Sequence, residues 1–426
     1  RHIDFAYFDQ LSTPEETEVS FELRGKLSIP DTEISHFSGG EQTRLKLAQI
    51  FTDYHEGLLL DEPTTHLDAE GIQFFIDELM YYYGALVLVS HDRYVLDRLV
   101  TKIWEIEGGK VKEYTGTYSN YVEQKELEKK RIHGECEKYV REKARLLKAS
   151  DEKMEKAEKM ISGKKSKSKA KQGTNRMFET KSKGTSQKAL QRAAKALEQR
   201  VEKLEIAEVP KEEHIIRFPQ AQSLQLHNKF PIMGERLTLK AGDKTLLKEA
   251  SFQFPLGKTI AITGKNGSGK STLLHHIIKR GEGMTISPKA VIGTYEQMDY
   301  QFSKKETVLA FIKSRSDYEE SKIRAVLHAM DFTGNDVIKD VRDLSGGEAT
   351  RLVLCQLFLG RYNMLILDEP TNFLDIHWVE ALERFLRGYE GTVLLVSHDR
   401  TFVERVADDV YAIEDQKFVL KTEHRR

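Results

Sequence analysis

The chain has 426 residues, which is enough for two or three domains of ordinary size. An apolar content of 39% excludes a chain that is disordered throughout. A net charge of −1 excludes a protein whose whole surface binds nucleic acid. No apolar run approaches the roughly 18 residues of a membrane-spanning helix, and two distant cysteines exclude a disulfide scaffold. We therefore expect a cytoplasmic protein without a membrane partner.

Three motifs occur twice along the chain at one constant spacing. Ser38-Gly39-Gly40-Glu41 returns as Ser345-Gly346-Gly347-Glu348, Asp61-Glu62-Pro63-Thr64 returns as Asp368-Glu369-Pro370-Thr371, and Val89–Arg93 returns as Val396–Arg400. The spacing is 307 residues each time, since 345 − 38, 368 − 61 and 396 − 89 agree. This constancy predicts one structural unit that the chain uses twice.

Each copy has the pattern of an α/β domain. Short apolar runs at 57–60 and 86–89 have counterparts at 364–367 and 393–396, and such runs are typical of buried parallel strands. Helical patterns lie between them, so we predict an open parallel sheet covered by helices.

Residues 118–208 are different, with few strand formers and many Lys, Arg, Glu and Ala. Their apolar positions advance in steps of four and three, which is typical of a coiled-coil seam. The outgoing seam is Ile132, Cys136, Tyr139, Lys143 and Leu146, and the returning seam is Leu190, Ala194, Leu197, Val201 and Leu204. We predict an antiparallel helical hairpin whose arms of about 30–40 residues reach roughly 45–60 Å. A helical linker that only spaces two domains is the alternative.

The middle of this arm is strongly basic. Between residues 160 and 195 there are eleven Lys or Arg and one acidic residue, Glu179. Such a run at a hairpin tip favours contact with a phosphate backbone. The candidate RNA-binding residues are Lys164, Lys165, Lys167, Lys169, Lys171, Arg176, Lys181 and Lys183. A charge run that is only solvated is the alternative.

Residues 264–271 match the phosphate-binding pattern G-x4-G-K-[ST]. The apolar run 259–262 precedes the motif and a helix start follows it, which is the strand–loop–helix context that such a loop requires. Its backbone N–H groups can wrap phosphates, and the helix N-terminus adds positive charge. We expect Lys270 to reach the β- and γ-phosphates and Ser271 to ligate Mg²⁺. The candidate nucleotide-binding residues are Gly264, Lys265, Asn266, Gly267, Ser268, Gly269, Lys270, Ser271 and Thr272.

Further polar residues follow the strand-like runs. Asp368 ends one run and is predicted to bind Mg²⁺, and Glu369 beside it is placed to activate the attacking water. His398 ends another run, where its imidazole could contact the γ-phosphate and hold that water. Gln297 follows the run 292–295 and could complete the metal and water shell.

The order of P-loop, glutamine, Ser-Gly-Gly-Glu, Asp-Glu-Pro-Thr and Ser-His-Asp-Arg resembles that of ABC ATPase domains. In that family two domains face head to tail, and each ATP lies between one P-loop and the Ser-Gly-Gly motif of the other domain. The resemblance implies a site, with ATP as substrate and Mg²⁺ as cofactor, that joins residues 264–272, Gln297, Asp368, Glu369 and His398 with Ser38, Gly39, Gly40 and Glu41.

Two such halves with a charged helical arm between them resemble the ABC-F family of ribosome-binding ATPases. The segments 114–121 and 368–375 look most similar to the Vga-type antibiotic-resistance factors of that family. The implied fold class is α/β, with two ABC-type P-loop ATPase domains, 1–117 and 209–426, joined by an antiparallel α-helical coiled-coil linker, 118–208.

The resemblance also implies a function. The arm would enter the tRNA exit site of the 70S ribosome, beside peptidyl-site tRNA and the peptidyl transferase centre of the 23S rRNA. There it would displace ribosome-targeting antibiotics. The protein would act as a monomeric ATP hydrolase without a DNA partner.

Two departures from the family pattern affect the site. No P-loop precedes Ser38, so we expect that the chain as given lacks an N-terminal segment; a protein with one site is the alternative. A second site would then use Gln10 and Asp61 for the metal, Glu62 and His91 for hydrolysis, and Ser345, Gly346, Gly347 and Glu348 for the nucleotide. The adenine-stacking aromatic residue of the family has no counterpart near 240–243, which leaves base selectivity open.

Other functions share these motifs. A housekeeping ABC-F translation factor would have the same fold and differ only at the arm tip and in its purpose. The ATPase subunit of a membrane transporter is a further alternative, disfavoured by two halves and an arm in one chain. DNA-repair ATPases place their coiled coil between the P-loop and the Ser-Gly-Gly motif. Here the arm follows the block 38–110 and precedes the second P-loop, which argues against DNA.

Overall fold

The computed structural model places most of the chain in two compact units. One contains Arg1–Thr101 and His214–Arg426, and therefore both copies of the repeated motifs; the other is Lys102–Glu213. The structure describes residues 4–9, 12, 14, 19–27, 29–30, 33–34, 37, 39–65, 67–162, 188–189, 191–197, 199–201, 217–218, 225–295, 302–372 and 374–423. Within these ranges no helix is both long and apolar enough to cross a membrane. The functional boundaries after residues 117 and 208 stay predictions.

The first half of the larger unit is built on a parallel sheet. Its strands are β1 (Phe5–Phe8), β2 (Gly57–Asp61) and β3 (Ala85–Val89), in the spatial order β1-β2-β3. Its helices are α1 (Phe21–Lys26), α2 (Gly39–Thr52), α3 (Ala69–Met80) and α4 (Arg93–Leu99). The apolar faces of β2 and α3 meet in a core that includes Leu58, Leu60, Phe75 and Ile76.

The smaller unit begins with a hairpin and continues as a long helix. Strands β4 (Lys102–Glu107) and β5 (Lys110–Thr115) pair antiparallel. They turn at Gly108 and Gly109, whose positive φ angles suit glycine. Helix α5 then runs over Tyr118–Ser162.

One face of α5 carries the predicted seam. Cys136, Leu146 and Ser150 are buried on it. The Ser150 hydroxyl donates a hydrogen bond to the carbonyl of Ala194 at 3.3 Å. The returning helical residues 191–197 therefore pack against α5, as a helical hairpin requires.

One predicted seam position is wrong. Lys143 is exposed, because its ammonium group keeps its hydration at the surface. Its Nζ lies 5.8 Å from the centroid of the Tyr139 ring. Leu190 and Leu204 lie outside the described residues.

The second half of the larger unit contains two sheets. Its strands are β6 (Ile232–Ala241), β7 (Lys244–Phe254), β8 (Thr259–Gly264), β9 (Met284–Ile286), β10 (Ile292–Tyr295), β11 (Met364–Asp368), β12 (Thr392–Val396), β13 (Asp409–Glu414) and β14 (Lys417–Glu423). A six-stranded sheet has the order β10-β11-β12-β8-β13-β14 and is parallel except for β14. A smaller antiparallel sheet has the order β7-β6-β9.

Helices cover the large sheet of the second half. They are α6 (Lys270–Ile278), α7 (Val308–Lys313), α8 (Glu320–Ala329), α9 (Gly346–Leu359), α10 (Ile376–Gly388) and α11 (Arg400–Val406), with 3₁₀ turns at Gly334–Ile338 and Val341–Asp343. The predicted parallel α/β architecture is therefore confirmed in both halves.

Equivalent strands of the two halves differ in burial among the described residues. All five residues of β12 are buried, because β11 and β8 flank it and helices cover its faces. Its counterpart β3 alternates between half-buried and exposed positions, and Val87 and Val89 are 41% and 54% exposed. Among the described strands β3 lies at the edge of its sheet. The apolar runs are alike, so the neighbouring strand decides whether such a run is buried.

Candidate nucleotide-binding and hydrolysis site

The P-loop connects β8 to α6 through glycines that no other residue could replace without strain. Gly264 has a φ of +147°, and a Cβ there would lie 2.8 Å from the Ile413 carbonyl oxygen. Gly269 has a φ of +106° and precedes the first residue of α6 in the left-handed conformation. In this backbone the Ser268 N–H donates to the Lys265 carbonyl, and the loop leads directly into the N-terminus of α6, a position that suits an anion.

Lys270 is held inside this loop. Its side chain is buried, and its Nζ donates hydrogen bonds to the carbonyls of Gly264 at 2.9 Å and Lys265 at 3.1 Å. Burial lowers the pKa of the Lys270 ammonium, while the carboxylates of Glu369 and Asp68 oppose that shift. The geometry therefore places a cation within the loop that is to receive phosphates.

Glu369 follows the last residue of β11 in a strained conformation, with a φ of +49°. Its Oε2 accepts a hydrogen bond from the backbone N–H of His398 at 3.2 Å, and its Oε1 lies 3.4 Å from His398 Nε2. That Oε1 is buried and accepts no hydrogen bond from the described residues. Burial raises the pKa of Glu369 to about 7, against the opposing charge of Lys270. A carboxylate with this pKa can accept a proton from water near neutral pH.

The first half repeats this arrangement. Glu62 has a φ of +48°, and its Oε2 accepts a hydrogen bond from the His91 backbone N–H at 3.4 Å. Its Oε1 lies 3.4 Å from His91 Nε2, and burial raises the pKa of Glu62 to about 7. Asp61 ends β2 beside Val89, as Asp368 ends β11 beside Val396. The motif repeat is thus also a repeat of geometry.

Residues of both halves line one cavity of about 700 Å³. The first half contributes Gly39, Gly40, Glu62 and His91. The second half contributes Asn266, Gly267, Gly269, Lys270, Ser271, Thr272, Glu369 and His398. Glu41 lies in the first turn of α2, next to the two glycines. The arrangement places one P-loop opposite the Gly-Gly pair of the other half.

Sequence reasoning missed a direct contact between the halves. Asp68 Oδ2 accepts a hydrogen bond from the backbone N–H of Asn266 at 3.0 Å, while its Oδ1 accepts from Gly71 at the start of α3. Burial alone would raise the pKa of Asp68. The hydrogen bonds from the two N–H groups stabilise its carboxylate more strongly, so the pKa of Asp68 is lowered. The signal was present in the repeat, because Leu67-Asp68 returns as Leu374-Asp375 at the same spacing.

The second copy of the Ser-Gly-Gly-Glu motif starts α9. Ser345 and Glu348 form a capping box, and Glu348 Oε2 accepts a hydrogen bond from the Ser345 backbone N–H at 2.7 Å. Burial alone would raise the pKa of Glu348. The hydrogen bond from Ser345 and the Lys339 ammonium stabilise the carboxylate and lower its pKa to about 2. Gly346 and Gly347 follow Ser345 in the exposed first turn.

A second cavity of about 1170 Å³ shares the P-loop residues 264–268. Leu246 and Ile413 provide apolar surface in it, and Lys244 and Asp415 provide charge. Its described lining contains no Phe, Tyr or Trp.

Several predicted site residues lie outside the described part of the chain. They are Gln10, Ser38, Gln297, Lys164, Lys165, Lys167, Lys169, Lys171, Arg176, Lys181 and Lys183. Among the described residues, no three His, Cys, Asp or Glu side chains come together as a metal site. The roles assigned to individual residues therefore stay predictions.

Comparison with known proteins agrees with this site. Residues 247–372, from β7 through the P-loop to the segment after β11, match a family model described as ABC transporter. The fold and the site define an ATP hydrolase of the ABC type. The "RNase-L Inhibitor" structure superimposes with a TM-score of 0.60, covering 93% of this chain and 67% of that chain, at 19% identity. At that identity the likeness concerns the fold alone.

Two curated relatives identify the family to which the chain belongs. It is 40% identical to the erythromycin resistance ATP-binding protein MsrA of Staphylococcus epidermidis, over 97% of this chain and 85% of that protein. It is 33% identical to the ribosome protection protein VmlR of Bacillus subtilis, over 95% of this chain and 73% of that protein. The chain belongs to the ABC-F family of ATPases, and within it resembles the Vga- and Msr-type antibiotic-resistance factors. The sequence-based prediction of the family is confirmed.

Proposed function

We propose that the protein binds the 70S ribosome and displaces ribosome-targeting antibiotics. In this proposal the arm enters the tRNA exit site beside peptidyl-site tRNA and approaches the peptidyl transferase centre of the 23S rRNA. Two relatives support this: one is named for erythromycin resistance and the other for ribosome protection.

The observation that carries the proposal is the arm itself. Helix α5 has 45 residues, which corresponds to a length of about 68 Å. The residues 191–197 that pack on it make the arm a two-helix element, stiffer than a single helix. Its basic segment would meet RNA through Lys164, Lys165, Lys167, Lys169, Lys171, Arg176, Lys181 and Lys183, so that phosphate contacts provide much of the affinity.

The hydrolysis site would work through residues of both halves. Lys270 and the P-loop N–H groups bind the β- and γ-phosphates of ATP. Glu369 accepts a proton from the attacking water, and His398, hydrogen-bonded to it through its backbone, holds that water at the γ-phosphate. Gly39 and Gly40 close on the phosphates from the first half.

The oxygen donors at this site suit Mg²⁺. Ser271 supplies a hydroxyl beside the phosphates and Asp368 a carboxylate at the end of β11, and Mg²⁺ prefers a few such oxygens together with substrate phosphates and water. When bound, Mg²⁺ offsets the negative charge on the β- and γ-phosphate oxygens. Asp61 would have the corresponding role for the Glu62–His91 pair.

The cycle would couple these events. ATP draws the two halves together, the closed monomer docks with its arm inserted, and hydrolysis through Glu369 and Glu62 reopens and releases it. A variant that binds ATP without hydrolysing it should therefore stay on the ribosome.

Co-sedimentation tests this cycle. Glu62→Gln/Glu369→Gln protein is centrifuged with 70S ribosomes, with and without ATP, and we expect pelleting that depends on ATP. The matched control is the same protein with Lys270→Ala, whose weakened phosphate binding should abolish the ATP effect. If the double variant pellets no better with ATP than the unaltered protein, the proposed cycle is wrong.

Antibiotic displacement is a separate measurement. Ribosomes carrying labelled erythromycin are mixed with the pelleting variant, and we expect the bound label to fall when ATP is present. Retention of the label despite pelleting would remove the resistance role and leave a translation factor, the housekeeping alternative.

A further inference from the structure

A single carboxylate joins the start of the arm to the hairpin that precedes it. Glu105 lies in β4, and its Oε1 accepts a hydrogen bond from the Tyr121 hydroxyl of α5 at 2.6 Å. Its Oε2 accepts hydrogen bonds from Lys125 Nζ of α5 at 2.8 Å and from the Tyr114 hydroxyl of β5 at 3.1 Å. Three elements of the smaller unit therefore meet at this one side chain, which has no part in the hydrolysis site.

The acceptor and its donors have the protonation states that these bonds require. Burial alone would raise the pKa of Glu105, but Lys125 and the Tyr121 hydroxyl stabilise its carboxylate, so that its pKa is lowered. Burial and the Glu105 carboxylate raise the pKa of Tyr121, which keeps its hydroxyl protonated and able to donate. Hydrogen bonds to an ionised group are about twice as strong as those between neutral groups. The contact is therefore stronger than an ordinary pair of surface hydrogen bonds.

A second ion pair crosses from the hairpin to the helix beside the first. Lys112 Nζ of β5 lies 2.6 Å from both carboxylate oxygens of Glu128 in α5. Glu128 Oε2 also accepts a hydrogen bond from the Tyr114 hydroxyl at 3.3 Å. Tyr114 is buried, and its ring meets the Tyr121 ring edge to face, with 4.9 Å between the centroids. Polar and aromatic contacts thus fasten the first three turns of α5, up to Glu128, to one face of the hairpin.

The backbone between the hairpin and the helix does not fix their angle by itself. Only Gly116 and Thr117 separate β5 from α5. The Thr117 N–H donates a hydrogen bond to Asn120 Oδ1 at 3.0 Å, which fixes the start of the helix. Gly116 has a φ of +117°, and a glycine can adopt many other backbone conformations at little cost. The side-chain contacts on both sides of Gly116 therefore decide in which direction α5 leaves the hairpin.

The repeat shows that the charged contacts are particular to this hairpin. Glu105 and Lys112 lie opposite each other in the register of β4 and β5. The positions 307 residues later are Ala412 and Val419, which lie opposite each other in β13 and β14. The second half thus has the same hairpin with an apolar pair at these positions. The charged pair belongs to the hairpin that leads into the arm.

We propose that Glu105 is a positioning residue for the arm, which makes the hairpin β4–β5 and the first three turns of α5 one rigid mount. The arm then keeps one direction relative to the hairpin. Under the function proposed above, on which this consequence rests, the arm meets the ribosome already oriented. An arm that swings at Gly116 would have to be ordered on docking, and that ordering weakens binding.

Distances between two spin labels test the mount without any partner. Cysteines replace Val111 in the hairpin and Val140 in α5, which are 65% and 57% exposed. The natural cysteines, Cys136 and Cys355, are changed to Ala in every variant, so that only the introduced cysteines are labelled. With Glu105 present, we expect one narrow distance distribution. Glu105→Ala should broaden the distribution, and Glu105→Gln, which keeps one acceptor oxygen, should broaden it less.

A matched control separates the mount from a general loosening of the hairpin. Glu113 lies in β5, and its described hydrogen bonds come from Lys102 and Trp104 of the same hairpin. Glu113→Gln should therefore keep the narrow distribution. Circular dichroism establishes that each variant is folded, and Lys125→Met replaces Glu105→Ala if the latter fails to fold. A narrow distribution in folded protein without the Glu105 contact, or equal broadening in Glu113→Gln, would overturn the mount.

Ribosome binding tests the consequence for function. When Glu105→Ala is added to Glu62→Gln/Glu369→Gln protein, we expect its affinity for 70S ribosomes with ATP to fall about three- to tenfold. ATP hydrolysis without ribosomes should stay unchanged in Glu105→Ala, because Glu105 lies outside the cavity of the hydrolysis site. An unchanged affinity despite a broadened distance distribution would overturn the orienting role. If Glu62→Gln/Glu369→Gln protein does not pellet at all, the proposed function fails, and the label distances still decide whether Glu105 fixes the arm.

Discussion

The imidazole Nε2 of His91 lies 3.1 Å from the carboxylate of Asp375, which belongs to the other half of the ATPase unit. The residue equivalent to Asp375 in the first half is Asp68, and it makes a different contact, with the backbone N–H of Asn266 in the P-loop. One position of the repeat therefore reaches His91, a predicted catalytic residue, in one direction and the P-loop in the other. Asp68 and Asp375 thus both contribute contacts between the two halves.

Removal of the Asp375 charge should change the titration of His91. Burial lowers the pKa of His91, and Asp375 is the main group that opposes this shift. Asp375→Asn should therefore lower the pKa of His91 further, as measured by NMR titration of the ring. Asp343→Asn, at an exposed acid away from His91, is the control and should leave that signal unchanged. A His91 titration that stays in place in Asp375→Asn would contradict the contact.

In protein that already carries Glu62→Gln, Glu369→Gln should slow ATP hydrolysis by about 10²–10⁴ while ATP binding is retained, because the amide cannot accept the proton of the attacking water. Phosphate release measures the rate, and fluorescence of a labelled nucleotide measures binding. Glu319→Gln replaces an acid outside the described cavities and should leave both values unchanged. A loss of binding equal to the loss of rate would assign Glu369 to nucleotide binding instead.

The rate should also depend on pH in a definite direction. Burial raises the pKa of Glu369 to about 7, and only the ionised carboxylate can act as a base. Hydrolysis should therefore rise with pH up to about 7 and level off above it, falling about tenfold per pH unit well below. The residual rate of Glu62→Gln/Glu369→Gln should lack this acid limb, because Glu62 has the same raised pKa. A limb with its midpoint near 4.5, the ordinary value for a glutamate, would show that Glu369 is not the titrating base.

Gly264→Ala should destabilise the P-loop. A Cβ at this position would lie 2.8 Å from the Ile413 carbonyl oxygen, and the φ of +147° is unfavourable for alanine. We expect a loss of about 1–3 kcal/mol in the free energy of unfolding, together with weaker ATP binding. Gly134→Ala is the matched control, because nothing lies within 4 Å of that site in α5. It should be neutral or stabilise by about 0.5–1 kcal/mol.

Replacement of four tip lysines should weaken ribosome binding in a salt-dependent way. With Lys164, Lys165, Lys167 and Lys169 changed to Ala, the plot of log affinity against log salt concentration should flatten by up to about 3, since each phosphate contact releases a counterion. The control set changes four exposed lysines of the second half, Lys240, Lys248, Lys279 and Lys289. If both sets of substitutions change the salt dependence of ribosome binding equally, the tip lysines are only a solvated charge run and do not contact RNA.

Much of this protein follows from its sequence alone, because the features concerned are local. The P-loop pattern at 264–271 needs only its own glycines and the strand and helix beside it. The repeat spacing identified Glu62 and Glu369 as equivalents, and both have a φ near +48° with a pKa raised by burial. A periodic seam marked the arm from its own residues, with Cys136 and Leu146 buried as predicted.

Contacts between distant segments were decided only by the tertiary structure. Nothing in the pattern around Arg93 indicates that its partner is Glu383 rather than a residue of its own half, since the pair depends on how the halves face each other. The same holds for His91 with Asp375 and for Asp68 with Asn266. Burial also depends on neighbours: β3 and β12 have similar apolar sequences, but among the described strands β12 has a strand on each side and β3 lies at an edge. Local pattern determines which element forms, and packing determines what that element touches.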